Sequence, residues 1–145
     1  MYVGIESGNE EVRKDVNRSS DTNLNQIEKV KFLEKTGIKV KAMYIIGMPA
    51  DTDSSYKKTV EFAKKIKSSY AQFSVFTPYP GTPVFKEYEK KITAKKFENF
   101  TQWQLVFNHS NFKPIDILNL LNYSKFSECH MLEKCPPCLF LFFFE

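Results

Sequence analysis

The chain has 145 residues, of which 42% are hydrophobic and 26% charged, a balance that suits one folded domain with its own core. Its formal net charge is +4, with 21 Lys and Arg scattered among 17 Asp and Glu, and pairs such as Lys64-Lys65, Lys90-Lys91 and Lys95-Lys96 read as solvated helix faces, so no nucleic-acid partner is expected. No charged leader with an apolar stretch and cleavage site opens the sequence, and the apolar run Leu139–Phe144 is far shorter than the ~20 residues of a membrane helix, so a cytoplasmic protein with no membrane partner is expected.

Tyr2-Val3-Gly4-Ile5 is a short apolar segment closed by Glu6-Ser7-Gly8, which predicts a buried strand running into a turn. A short polar helix is expected from Asn9 to about Asn17, with Glu10 and Glu11 at the positive end of its dipole. Leu24, Ile27, Val30 and Leu33 recur at helical spacing after Asp21, and Thr36-Gly37 gives the stop. From Ile38 to Gly47 the pattern alternates, then turns continuously apolar through Met43-Tyr44-Ile45-Ile46, as in a strand buried on both faces and ended by Pro49.

Asp53 or Ser54 can cap the next helix, whose Tyr56, Val60, Ala63 and Ile66 form an apolar stripe. Tyr70 to Phe76 reads as a third strand, and Thr77-Pro78-Tyr79-Pro80-Gly81-Thr82-Pro83 is too rich in proline and glycine to be anything but a rigid loop. A helix from about Pro83 to Lys91 follows. The aromatic stretch Phe97–Phe112 has no assignable pattern, and Pro114 can start a last helix carrying Ile117, Leu118 and Leu121. Strands alternating with helices over short connections predict an α/β fold with parallel strands.

Three segments stand in order: GIESGNEEV at 4–12, VKAMYIIGMPADT at 40–52 and YAQFSVFTPYPGTPVF at 70–85. Together they resemble the fourth, fifth and sixth barrel strands of the radical S-adenosylmethionine (SAM) superfamily, especially the group that often carries a cobalamin-binding domain upstream. The segment at 97–114 is similar to that family's post-barrel extension. The resemblance implies a partial (β/α) barrel fragment of about three βα units with a C-terminal helical extension: residues 1–92 the C-terminal part of the barrel, 93–127 the post-barrel extension, and 128–145 an atypical tail rich in Cys and Phe.

In that family a 4Fe–4S cluster, held by a CxxxCxxC loop after the first strand, reduces SAM to a 5′-deoxyadenosyl radical; three thiolates leave one iron open for SAM. No such loop stands in this sequence. The chain is therefore expected to hold no cluster, to be inactive alone, and to be completed by a separately encoded N-terminal half-barrel. By resemblance Glu6, Ser7 and Gly8, with Ile45 and Gly47 and the strand end Thr77-Pro78, form the cofactor side: polar groups for ribose and the methionyl end, an apolar wall and close backbone approach for adenine. No catalytic residue is assigned. Ala50-Asp51 stands where the family usually has Gly-Glu, and Met43 where it often has glycine; Asp51 keeps a carboxylate suited to helix capping.

All three cysteines, Cys129, Cys135 and Cys138, lie in the tail, with His130 beside the first. Their C-x5-C-x2-C spacing lacks a second ligand pair, so no metal site is expected. The alternatives to a radical SAM enzyme portion are a non-catalytic remnant or half of an unrelated βα barrel. For the last, no catalytic lysine in a strand centre and no glycine-rich phosphate loop speaks.

Overall fold

The computed structural model describes residues 1–16 and 21–131, with side chains placed as far as Ser124. In chain order come strand β1 (Tyr2–Glu6), helices α1 (Glu10–Asp15) and α2 (Asn23–Lys35), β2 (Lys41–Ile46), α3 (Asp53–Ile66), β3 (Tyr70–Val75), α4 (Pro83–Tyr88) and α5 (Pro114–Met131), with short 3-10 turns at Glu89–Lys91 and Phe97–Asn99. The strands form one parallel sheet in the order β1-β2-β3. The expected α/β class with parallel strands is what the chain adopts.

β2 and β3 pair without interruption from Lys41 opposite Tyr70 to Ile46 opposite Val75. One face of the sheet, carrying Ile5, Ala42, Tyr44, Ile46, Phe73 and Val75, is buried. Tyr44 and Phe73, neighbours across the two strands, stack with their ring centroids 4.8 Å apart. Helices α2 and α3 pack on each other and α3 lies on β2; Val30, Tyr56, Val60, Ala63 and Ile66 complete the same core. The other face is only partly covered, so Lys41, Met43 and Ile45 alternate with buried neighbours. This corrects the expectation of a strand buried on both faces: one face of β2 remains partly exposed among the described residues.

Helix α5 packs against β3 and α3, and residues 101–107 lie along the outer flank of β3, where Val75 N–H donates to Gln102 O at 2.7 Å. Leu105, Val106, Phe107, Phe112, Ile117 and Leu121 join the core, giving the aromatic stretch its role. Four expected apolar positions are instead exposed, Tyr2, Leu24, Ile38 and Leu118, and β1, expected to be buried, buries only Ile5. The first turn of α2 is anchored by polar contacts of Asn23, which accounts for Leu24, and Ile38 precedes the strand. Helix α3 begins one or two residues earlier than expected. Thr52, not Asp53 or Ser54, is its cap, because Thr52 and Ser55 satisfy each other's backbone N–H in a reciprocal box.

At the N-terminal edge of the sheet, Glu34 accepts hydrogen bonds from Val40 N (2.9 Å), Ser69 N (2.7 Å) and Ser69 Oγ (2.8 Å). One carboxylate at the end of α2 thus holds the starts of β2 and β3 side by side. Partial desolvation pushes this carboxyl up, but the bonds from Val40 and Ser69 outweigh it and leave it below the usual carboxylate range. A folded value below the unfolded one contributes stability above the unfolded value, and that contribution is lost as pH falls through the folded value. Glu34→Gln should lower stability by about 1–2 kcal/mol at neutral pH. Urea denaturation at a series of acidic pH values should show the gap to wild type closing, and a gap independent of pH would refute the carboxylate's role.

Candidate functional site

The C-terminal ends of the three strands meet at one edge of the sheet. In β1, Gly4 pairs with Met43 and Glu6 with Tyr44, so Ile5 is a bulge. Glu6 has φ 67°, and Ser7 N–H donates back to Ile5 O at 2.9 Å. This three-residue turn with a non-glycine residue at positive φ is rare and stores about 1–3 kcal/mol of strain. Bulges of this kind re-aim side chains. Here Glu6 folds back over the open face, where a Cβ on Gly4 would stand only 2.9 Å from Glu6 Oε1.

Ser7 and Gly8 turn the other way. Ser7 is fully buried; its Oγ pairs with Thr59 Oγ1 at 2.9 Å and accepts from Asn9 N–H at 3.1 Å. Gly8 N–H donates to the same Thr59 Oγ1 at 3.1 Å. The turn lies so close to α3 that a Cβ on Gly8 would fall 2.5 Å from Phe62 Cβ and 2.8 Å from Thr59 Cα.

Ile45, at the end of β2, is half-buried on the open face, and Gly47 follows with φ 71°, its α-carbon facing Ile117. The turn Met48–Asp51 is then closed by Asp51 N–H to Met48 O at 2.7 Å. Buried Asp51 accepts from Met48 N–H (3.1 Å) and Ser55 Oγ (2.5 Å). It therefore supports the helix start through Ser55 rather than as the cap itself. Burial pushes its carboxyl up, against these bonds and the neighbouring His109.

A second set of bonds reaches this turn from far along the chain. His109 Nδ1 accepts from Asn111 N–H at 3.0 Å, so Nε2 carries the proton and donates to Met48 O at 2.8 Å. Asn111 Nδ2 donates to Asp51 O at 2.8 Å. After β3, the Thr77 hydroxyl is directed at Val75 O and Thr101 O, and Pro78 is buried.

Between these ends lies a cavity of about 640 Å³ whose lining includes the carboxylates Glu6, Asp15 and Glu87 and, among others, Ile45, Met48, Pro49, Ala50, Phe76 and Tyr88. That volume lies within the ~300–1,000 Å³ of small-molecule sites. Of the residues expected at a cofactor site, Glu6 and Ile45 line the cavity. Ser7, Gly8, Gly47, Thr77 and Pro78 do not line it. Phe76, Tyr88 and the 48–50 wall were not singled out by the sequence; Phe76, the residue directly after a strand, carries the one signal that could have done so. Burial, with Glu87 and Asp15 nearby, raises the Tyr88 phenol above its ordinary range.

Among the described residues no three His, Cys, Asp or Glu side chains are grouped to hold a metal ion, and no helix is long and apolar enough to cross a membrane. Cys129 lies in α5; Cys135, Cys138 and the apolar run Leu139–Phe144 lie outside the described residues.

No family model matches the chain. Its sequence is 36% identical over 86 residues to an uncharacterised methyltransferase of Pyrococcus horikoshii, a stretch covering 59% of this chain and 18% of that protein. It is 28% identical over 107 residues to the bacteriochlorophyllide d C-12(1)-methyltransferase of Chlorobaculum tepidum, 74% of this chain and 24% of that one. Similarity extends to the tRNA-2-methylthio-N(6)-dimethylallyladenosine synthase of Acinetobacter baumannii, 24% identical over 120 residues, 81% of this chain and 25% of the synthase. The chain thus spans about a quarter or less of the length of these relatives.

Two substitutions contrast a residue that does not line the cavity with one that does. Gly8→Ala should destabilise the fold by about 1–3 kcal/mol, since the added methyl meets α3 backbone that cannot yield. Glu6→Gly should instead raise stability by about 1 kcal/mol, because glycine adopts positive φ without strain. Denaturant midpoints of the two variants should move in opposite directions; a destabilised Glu6→Gly would mean that the side chain, not the turn, sustains this end of the strand.

Proposed function

We propose that residues 2–92 form the C-terminal part of a radical SAM barrel and that the cavity beneath Glu6 takes the adenosine end of SAM. Support comes from the three parallel strands in sequential order, from a cavity at their C-terminal edge, where parallel α/β sheets bind ligands, and from the similarity to methyltransferases and a tRNA methylthio synthase. The observation that carries the reading is Glu6: a carboxylate held at strained φ on the cavity wall.

The cavity suits the nucleoside. Glu6 would accept hydrogen bonds from ribose hydroxyls, while Ile45 and Phe76 supply apolar surface for adenine and Tyr88 a further aromatic wall. Three carboxylates, Glu6, Asp15 and Glu87, line the cavity, which favours the positive sulfonium and ammonium of SAM and opposes phosphates. When bound at an iron–sulfur cluster, SAM supplies the radical chemistry for which the family is named. The described residues offer the cluster no ligand set; its cysteines are proposed to come from a complementary N-terminal half, with any cobalamin on a domain upstream of it. This chain's own part is to bind and orient the nucleoside.

An NMR titration of the chain with SAM, 5′-deoxyadenosine and AMP tests this. SAM and 5′-deoxyadenosine should bind with Kd on the order of 1 mM, about −4 kcal/mol, shifting Glu6, Ile45, Met48, Phe76 and Tyr88, and AMP should bind more weakly. Shifts confined to α5, or AMP binding best, would sink the assignment.

A further inference from the structure

We infer that Arg13 is a positioning residue for Glu6, acting through the peptide of Ser7, with Thr59 as its counterpart on α3. Arg13 is the largest fully buried side chain among the described residues, at 1% exposure. Burying a guanidinium is costly unless acceptors replace its hydration; both Nη atoms of Arg13 are so bonded, while Nε has no partner. Nη1 donates to Ser7 O and to Asn23 Oδ1 (2.8 Å), and Nη2 to Asp21 O (3.0 Å), while the Glu10 carboxylate stands 3.9 Å away.

The Ser7 contact is the informative one, because Ser7 directly follows the strained residue. Ser7 is fixed at three points: its N–H on Ile5 O, its hydroxyl on Thr59 and its carbonyl on Arg13. With that residue pinned, Glu6 cannot relax to extended backbone, which would carry its carboxylate off the cavity wall. The Arg13 charge is thereby placed behind the turn, out of the cavity, and shapes the site through backbone geometry.

The test uses the full chain as wild type, Arg13→Met, Arg13→Lys and Thr59→Val. The first readout needs no ligand: the intraresidue N–H to Hα cross-peak of Glu6, which is strong at positive φ. It should weaken in Arg13→Met and Thr59→Val and be partly restored in Arg13→Lys, while resonances of Val75 and Ile117 stay in place. If Arg13→Met does not fold, Arg13→Lys and Thr59→Val decide the matter. An undiminished Glu6 cross-peak in the folded variants overturns the inference.

The second readout rests on the cavity being a nucleoside site. Arg13→Met should weaken 5′-deoxyadenosine binding about threefold in the wild-type background and not further in Glu6→Gln. Equal weakening in both backgrounds would assign Arg13 a general structural role and overturn the inference. If wild type binds no nucleoside, the reading of the cavity fails, while the cross-peak still decides Arg13.

Discussion

Three consecutive strands paired in parallel impose the constraint from which the rest of the molecule follows. Each connection must travel back along the full length of the sheet before the next strand begins, and a helix is the economical way to do so. Helices α2 and α3 meet that requirement and in doing so cover one face. All strand starts then lie at one edge and all strand ends at the other. Glu34 organises the first edge with three hydrogen bonds, and the second edge is left to the turns at Glu6, Gly47 and Thr77. The edge that Glu34 fastens and the edge that carries the cavity are thus separated by the length of a strand.

The C-terminal edge is built from polar groups that are removed from water and largely hydrogen-bonded. Arg13 and Asp51 are both buried, yet each is surrounded by partners chosen from loop backbone and short hydroxyl side chains. Bonds of this kind hold a turn in one geometry. Three buried side-chain atoms among the described residues have no partner: Arg13 Nε, Gln26 Oε1 and Tyr44 Oη. Burial drives the Tyr44 phenol well above its ordinary range, so it stays neutral, and its ring earns its place by stacking on Phe73.

Much of this was legible in the sequence because it depends on local period and on residues with stiff backbones. The three strands, the stripe Tyr56, Val60, Ala63 and Ile66, the stop at Gly37 and the start at Pro114 all follow from neighbours within a few positions. Glu6 and Ile45 follow from the resemblance of their segments to a known family, not from local pattern. What escaped depends on contacts distant along the chain. Nothing near Ser7 announces that its hydroxyl faces Thr59, and nothing near Met48 announces His109. The exposure of Leu24 and Leu118 reflects which side of each helix lacks a neighbour, and helical spacing alone is blind to that.

The unequal flanks of the sheet have a further consequence. Beyond β3, residues 101–107 and α5 occupy the space a neighbouring strand would need, and Val75 has already committed its outward N–H to Gln102. Among the described residues β1 pairs only with β2, so its outer row of backbone donors and acceptors is free. Among the described residues the sheet is thus asymmetric, with β3 flanked at Gln102 and β1 open on its outer side. Whatever segment took that place would extend the sheet away from α5 and would lie next to the turn that holds Glu6.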